Sequence, residues 1–402
     1  MNSSENRTLA RITFITSLGD FISLFAVLMM VHEMTGSVIT AAYSIAVKTL
    51  GVAIGGVLIP YALRKYSTRQ IMVVTQIFSG FCIMLLALQW QMITNPSIVF
   101  IFAILFLETI AKQIFEGASE LRSKSLGSSG SQRSLQAEIL HSFYGAQFWG
   151  PIVSFLLLRY LNIAIPLWID VGTFLYAAWM ASQLGDTVYS GNYSLLRPVR
   201  YLRINRELFK VFLLRSVGMW LPIGVFNYML FPTIQNHSHL KMIDSAWIYV
   251  AIALGSLVAA SAMKKPTGFL SRQCDWRIAS VGFVCFGLTL FGFVSLPNYW
   301  LALVVLAVGG SFSGLGVIAT RSIRRKVTTA EQLPEIMGLE LFVGRITDFL
   351  VSSGCFYLLS RNLVTYTDGL IAAAVTWFGL AIWAWSKVTP PSAMAKIVGR
   401  AS

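Results

Sequence analysis

Residues 12–69 read ITFITSLGDFISLFAVLMMVHEMTGSVITAAYSIAVKTLGVAIGGVLIPYALRKYSTR. This stretch holds two apolar runs that are separated by a short polar break at 35–37, and it ends in the basic segment 64–69. Each run has the roughly 20 mostly apolar residues that a helix needs to cross the hydrocarbon core of a bilayer. Two apolar helices with a basic connection behind them indicate a helical membrane protein.

The same alternation of apolar runs and polar breaks continues along the chain. We assign spans to the apolar runs near 9–34, 38–63, 70–91, 97–121, 134–159, 161–184, 208–235, 245–263, 276–296, 299–320, 334–360 and 365–387. The longest polar connection lies in the middle of the chain. The sequence therefore predicts an all-α integral membrane protein with twelve transmembrane helices: an N-terminal six-helix bundle (1–185), a central linker (186–206) and a C-terminal six-helix bundle (207–402).

The composition excludes a soluble protein. Of the 402 residues, 56% are hydrophobic and only 12% are charged, and the mean hydropathy is +0.68. A soluble domain carries about 25% charged residues, so most of this surface must face lipid or other helices. The first apolar run is longer than the core of a signal peptide, and we expect it to be a retained span.

Lysines and arginines concentrate at alternate connections, which the positive-inside rule identifies as cytoplasmic. These residues are Arg7, Arg11, Arg64, Lys65, Arg69, Arg122, Lys124, Arg133, Arg197, Arg200, Arg203, Arg206, Lys264, Lys265, Arg272, Arg277, Arg321, Arg324, Arg325, Lys326, Lys387, Lys396 and Arg400. The opposite side has only Arg159, Lys241 and Arg361. We therefore expect both termini and the central linker to be cytoplasmic, and the short loops favour a bacterial inner membrane. Because the net charge of +14 is distributed in this way, it does not indicate a nucleic-acid partner.

Ionisable residues within the predicted spans are the candidates for function, because charges in a membrane are costly and usually face a cavity or a partner. We predict that protons are carried by Asp20, Glu108, Glu116 and His141. The candidates for contacts with substrate or counter-charges are Lys48, Lys112, Gln147, Glu340, Arg345 and Asp348. Together these residues predict a polar cavity between the two halves.

Several of these residues also have a structural interpretation. Glu108, Lys112 and Glu116 lie four residues apart on one helical face, so Glu108 and Lys112 could pair to fix helix packing. Asp170 is interpreted as a structural hydrogen-bond acceptor. His237 and His239 lie on an outer connection, where two histidines without nearby carboxylates indicate a solvated loop rather than a metal site.

The chain lacks the sequence signatures of common enzymes and nucleotide-binding proteins. It contains no HExxH motif, Walker A loop, GxSxG elbow or dinucleotide fingerprint. The sequence thus predicts neither an enzyme nor a bound cofactor or metal. Any uphill transport must then draw on an ion gradient or on the membrane potential, and the titratable groups favour protons.

Several short motifs resemble the major facilitator superfamily, in particular its enterobactin-exporter-like branch. The first span contains Ser17-Leu18-Gly19-Asp20, and the sixth contains Leu167-Trp168-Ile169-Asp170. The segment from Gly56 through Arg64, Lys65 and Arg69 resembles the cytoplasmic signature loop of that family, although Arg64 stands where an acidic residue is expected and Ser67 where glycine is usual. Gly150-Pro151 resembles part of the antiporter motif.

This resemblance implies two six-helix bundles related by a pseudo-two-fold axis, with a midplane site that opens alternately to each side. It predicts proton-driven export of a small amphipathic or anionic molecule, such as a siderophore or a drug-like compound, by a monomer. Two alternatives remain open at this point. One is an importer or metal-ion transporter of the same fold, and the other is a membrane sensor or assembly factor that transports nothing.

Overall fold

The computed structural model describes residues 3–92, 97–126, 132–188, 197–221, 223, 242–264, 274–296, 298–329, 331–361 and 363–386, and every regular element in these ranges is a helix. The helices are α1 (Ser3–Thr35), α2 (Val38–Lys65), α3 (Thr68–Met92), α4 (Ile98–Leu126), α5 (Gln132–Tyr160), α6 (Ala164–Ser182), α7 (Arg197–Ile204), α8 (Arg206–Leu213), α9 (Ala246–Lys264), α10 (Asp275–Ser295), α11 (Tyr299–Val327), α12 (Gln332–Ser360) and α13 (Tyr366–Trp385). A π-helical turn, Leu214–Gly218, continues α8.

Ten of the described helices are long and apolar enough to cross a membrane, which identifies a multi-pass membrane protein. They are α1–α4, α6 and α9–α13. Helix α5 covers the predicted span 134–159 over 29 residues but is too polar to be counted with them. The predicted span 208–235 begins in α8, and its second part lies outside the described residues.

The break between the first two spans is built by backbone geometry and side-chain capping. Gly36 has a positive φ of 64°, a conformation that glycine adopts without steric cost. Ser37 then caps α2, its hydroxyl accepting a hydrogen bond from the amide of Thr40. This confirms the turn that the sequence predicts at 35–37.

The helices pack as two groups, a first half (α1–α6) and a second half (α8–α13). In the first half, α1 packs against α5 and α6, and α4 packs against α2 and α3. In the second half, α11 packs against α9 and α10, and α10 also packs against α13. The halves meet along two main seams, α5 with α9 and α2 with α12. A cavity between the halves is lined by residues of both.

Glycines allow several of these helices to approach closely. A Cβ atom on Gly55 of α2 would lie 2.9 Å from the carbonyl oxygen of Ile110 on α4, and one on Gly310 of α11 would lie 2.1 Å from that of Ile252 on α9. The spacing of Gly51 with Gly55, and of Gly310 with Gly314, predicts this close approach, and the structure confirms it.

The predicted linker 186–206 contains the short helix α7 and meets both halves. Asp186 accepts hydrogen bonds from Ser67 and from Arg69, both at 2.7 Å. Arg197 of α7 lies 3.9 Å from the buried carboxylate of Glu335 on α12. The linker is therefore partly helical, and its charged residues fix it against the ends of α3 and α12.

We predict that Gly310→Ala destabilises the protein more than Gly354→Ala does. The methyl group at 310 would overlap the backbone of α9, and overpacking of this kind costs about 1–3 kcal/mol. A Cβ on Gly354 meets nothing within 4 Å, so replacing this helical glycine should be neutral or slightly stabilising. Thermal unfolding of both variants in detergent measures the difference, and equal melting temperatures would contradict the close packing of α9 on α11.

Candidate functional site

A cavity of about 330 Å³ lies between the two halves. This volume is at the lower end of the range of small-molecule sites. Its wall is rich in charge, with five cationic and four acidic side chains. These are Lys112, Arg215, Arg321, Arg325 and Arg345, and Asp20, Glu116, Glu120 and Glu340. Five of the residues that the sequence singles out, Asp20, Glu116, Lys112, Glu340 and Arg345, are thus brought together.

Two ion pairs connect α4 to its neighbours in the first half. The ammonium group of Lys112 lies 2.7 Å from a carboxylate oxygen of Asp20 on α1. The fully buried Glu108 lies 3.5 Å from Lys48 on α2. Lys112 is therefore paired with Asp20 rather than with Glu108, because the rotation of α4 aims the two side chains at different helices. Lys48 and Glu108 do not line the cavity.

Glu116, one turn further along α4, differs from these pairs. Its side chain is exposed to the cavity and forms no ion pair with any of the described residues. Asp20, Lys112 and Glu116 therefore present two carboxylates and one ammonium group on one side of the cavity. Such a set can hold or release a proton, and Lys112 can exchange its Asp20 partner for another anion.

The buried Asp170 of α6 lies behind Asp20. A Cβ on Gly19 would come within 2.1 Å of its Oδ1 atom, so only glycine at this position allows α1 and α6 to approach so closely. The Thr173 hydroxyl donates a hydrogen bond to the same oxygen at 3.1 Å. Asp170 thus accepts a hydrogen bond within its own helix, in agreement with the structural interpretation, and it brings a second carboxylate close to Asp20.

A larger network of charges joins the two halves. Glu120 of α4 forms ion pairs with Arg324 and Arg325 of α11. Glu340 of α12 accepts hydrogen bonds from Arg324 at 3.1 Å and from Arg215 at 2.7 Å. Because Arg324 is only 2% exposed and contacts both carboxylates, it is the centre of this network.

The arginines that follow the predicted span 299–320 are helical. Helix α11 continues to Val327, and Arg321 and Arg325 line the cavity wall. Arg215 and Glu120 were not predicted as site residues. The signal for Glu120 is its spacing, because it lies four residues after Glu116 and extends the same charged face of α4.

The two halves also contact each other towards both ends of the long helices. At one end, which we call the basic end, α1 begins and α4 and α11 end. There Arg325 donates a hydrogen bond to Ser123 at 2.5 Å, and Lys124 donates one to the carbonyl of Thr328 at 2.5 Å. At the opposite end, the rings of Phe25 and Tyr249 are 5.6 Å apart.

Arg345 of α12 reaches the cavity from the second half. Its guanidinium group lies 3.6 Å from the centre of the Trp220 ring and 3.1 Å from Asp348 on the same helix. The aromatic face and the carboxylate hold this cation at a defined place. Asp348 thus orients Arg345 and does not line the cavity itself.

Two other candidates lie away from the central cavity. Gln147 lines a smaller, mostly apolar cavity of about 220 Å³, together with Tyr249 and Trp377. His141 lies on α5, where its charged neighbours are Lys264 and Glu138. Neither side chain lines the cavity that Asp20 faces.

The segment that resembles a signature loop keeps an acidic partner, but from elsewhere in the chain. Gly56 packs against Gly338 and Leu341 of α12, while Arg64 and Lys65 are exposed. The carboxylate that pairs with Arg69 comes from Asp186, which follows α6.

In the antiporter-like motif, Pro151 lies within α5. A Cβ on the neighbouring Gly150 would overlap Phe21 of α1 at 2.5 Å.

The described part of the chain holds no group of three or more histidine, cysteine, aspartate or glutamate side chains that could bind a metal ion. His237 and His239 lie outside the described residues.

We predict that Glu120→Gln destabilises the contact between the halves. Breaking a buried ion pair leaves an uncompensated charge, which costs about 3–5 kcal/mol, and Arg324 and Arg325 would both lose this partner. Glu207→Gln is the matched control, because Glu207 also pairs with a basic residue, Lys210, but is exposed. Thermal unfolding in detergent compares the two variants. If both variants melt at the same temperature, the Glu120 network contributes no more to stability than a surface pair.

No protein-family model matches the chain, and no curated protein sequence matches it. Its fold does match solved structures. The human organic anion transporter MFSD10 (TETRAN) is similar with a TM-score of 0.73 and 12% identity, covering 96% of this chain and 99% of that chain. A bacterial homologue of the iron transporter ferroportin in the outward-facing state is similar with a TM-score of 0.70 and 13% identity, over 95% of this chain and 99% of that chain.

The proton:xylose symporter XylE of the major facilitator superfamily is also similar, with a TM-score of 0.74 and 10% identity over 97% of both chains. The proteins in these three structures are transporters. The chain therefore has the fold of the major facilitator superfamily transporters.

Proposed function

We propose that this protein is a secondary active transporter that exports a small anionic or amphipathic molecule in exchange for protons. The observation that carries the proposal is the position of Arg321, which faces the central cavity and forms no ion pair with any described carboxylate. A cation in a cavity of low dielectric gains most from an anionic partner. A substrate with a carboxylate or a similar anionic group would supply that partner.

Other residues of the cavity support an anionic substrate. Arg215 and Arg325 lie in the same wall as Arg321, and Arg345 faces the cavity beside Trp220. Arginine holds planar anions by two parallel hydrogen bonds, and the Trp220 ring offers an apolar surface for the rest of the molecule. The similar human structure is of an organic anion transporter, which agrees with this substrate class.

We assign the proton-carrying role to Asp20, with Glu116 as a further carrier. Glu108 does not line the cavity, and its role remains a prediction of the sequence alone. Asp20 is only 7% exposed, and its cationic partner Lys112 faces the same cavity. Protonation of Asp20 would remove its attraction for Lys112, and Lys112 could then bind the anion. Substrate and proton binding are thereby linked through one lysine. His141 does not line this cavity, and its role remains a prediction of the sequence alone.

The network around Glu120 would close the cavity on the cytoplasmic side. We assign the basic end to the cytoplasm by the positive-inside rule, which puts both termini in the cytoplasm. We further propose that the protein is a monomer in the inner membrane of a bacterium. Opening toward the cytoplasm requires Glu120 to separate from Arg324 and Arg325. An anion that binds between Arg321 and Arg325 competes with the Glu120 carboxylate for Arg325, and this competition favours opening when substrate is present.

The sequence motifs favour a siderophore-like or drug-like molecule of the kind exported by the enterobactin-exporter-like branch. The cavity of about 330 Å³ has room for a small molecule. Its mixture of cations, carboxylates and the Trp220 ring suits a substrate that has both an anionic and an apolar part.

The substrate can be identified, and the role of Arg321 tested, in one experiment. Cells of the source organism with and without the gene are grown with and without iron, and the small molecules inside and outside are compared by mass spectrometry. We expect at least one anionic metabolite to accumulate inside the deletion strain and to disappear from its medium. An iron-dependent difference would assign the metabolite to the siderophore class, whereas no anionic metabolite affected under either condition would contradict the proposal.

Complementation of the deletion strain then tests the role of Arg321. Arg321→Gln should restore export of that metabolite about 10–100-fold less efficiently than the wild type, because a hydrogen bond to a charged group contributes about 1.5–3 kcal/mol. Arg203→Gln, on the exposed face of α7, is the matched control and should restore export fully.

A second prediction concerns coupling. In proteoliposomes, Asp20→Asn should still pass the identified metabolite down its gradient but should lose the substrate-dependent proton flux, because asparagine cannot take up a proton. Asp186→Asn, which changes an exposed carboxylate that pairs with Arg69, serves as control and should keep the flux. A pH-sensitive dye inside the proteoliposomes measures the proton flux. If Asp20→Asn keeps the proton flux, Asp20 is not the proton carrier. The proposal that the protein transports an anion would not be affected by that result.

A further inference from the structure

A second cavity, of about 340 Å³, lies at the basic end and shares no lining residue with the central one. Its walls come from α1 and α5 of the first half and from the last residue of α9 in the second half. The polar lining residues are Arg7, Arg11, Glu138, Ser142 and Lys264. Three of them are cationic and one is acidic, so the cavity carries a net positive charge.

The two arginines of α1 indicate that this cavity is built for an anion. Arg7 and Arg11 are four residues apart on one helical face, where like charges repel each other. Both are exposed, and neither forms an ion pair with any described residue. Lys264 approaches the same space from α9, and Ser142 adds a hydroxyl that can donate a hydrogen bond. An anion between these groups would relieve the repulsion.

The polarity of the cavity changes with depth in a way that matches a phospholipid. Arg7 and Arg11 lie near the start of α1, at the membrane surface, whereas Phe14 and Ile15 line the part that is deeper in the bundle. The helical rise of about 1.5 Å per residue puts Ile15 about 12 Å below Arg7. A free phosphate ion would use only the upper part, but a phospholipid would place its phosphate there and its acyl chains along the lower part.

We propose that this cavity binds the headgroup of an anionic membrane phospholipid such as phosphatidylglycerol. Arg7, Arg11 and Lys264 contact the phosphate, and Ser142 donates a hydrogen bond to it. Glu138 accepts a hydrogen bond from a hydroxyl group of the glycerol headgroup. The acyl chains leave the cavity across Phe14 and Ile15.

A lipid at this place would also act on the conformation of the protein. Because its phosphate contacts α1 in the first half and Lys264 in the second, the lipid bridges the seam between α5 and α9. It binds best to the arrangement in which these helices are together at the basic end, and binding therefore stabilises that arrangement. The anionic lipid content of the membrane would then set how readily the basic end opens.

The test uses the purified full chain in detergent with added phosphatidylglycerol, phosphatidylcholine or inorganic phosphate. Native mass spectrometry counts the bound lipids, and the melting temperature is measured in parallel. We expect phosphatidylglycerol to bind and to raise the melting temperature, and the other two to do neither. The double variant Arg7→Gln/Arg11→Gln should bind phosphatidylglycerol about thirtyfold more weakly, because each basic residue near an anionic lipid contributes about a factor of five.

Arg200→Gln/Arg203→Gln, which removes two exposed arginines from α7, is the matched control and should bind phosphatidylglycerol like the wild type. Should the double variant fail to fold, Ser142→Leu, which fills the cavity without changing charge, tests the same site. Three outcomes would overturn the proposal: full lipid binding in these variants, equal stabilisation by phosphatidylcholine, or equal stabilisation by inorganic phosphate. The last would identify a site for free phosphate.

Discussion

The need to pair charges inside a low-dielectric interior is the constraint on which this structure depends. Arg324 is almost completely buried, and it would be strongly destabilising there without Glu120 and Glu340. One of these carboxylates belongs to the first half and the other to the second. The cation therefore holds α4 and α12 at a fixed distance on either side of α11, and the central cavity takes its shape from that spacing.

The ion pairs of the site fall into two kinds with different mechanical consequences. The pairs Asp20–Lys112 and Lys48–Glu108 lie wholly within the first half and can travel with it as a rigid body. The contacts of Glu120 cross between the halves and must break for them to separate. A pair within the first half can gain or lose a proton while the halves stay in place. A pair between the halves links a change in charge to a movement of the halves. The proton coupling that we propose uses both kinds.

Much of the fold follows from the sequence, but less of the site does. Hydropathy predicts the spans, because an apolar helix must be long enough to cross the membrane. The turn at Gly36 follows from local backbone geometry. Partner choice does not follow in this way. Lys112 is four residues from Glu108, yet it pairs with Asp20, because helix rotation and neighbouring helices decide the partner. The predicted span likewise ends before Arg321, because hydropathy marks where apolar residues end, not where α11 ends.

Asp186 has a consequence for how relatives of this chain can be found. In the pattern that the signature loop resembles, the acidic residue stands close to the arginine in sequence, whereas here Arg69 receives its carboxylate from a residue 117 positions away. A sequence profile scores each column independently, so it penalises Arg64 and gains nothing from Asp186. A motif can thus be missing from the string of residues while an arginine and a carboxylate are paired in space. A search that compares which residues are in contact will therefore find relatives that a search by sequence motif misses.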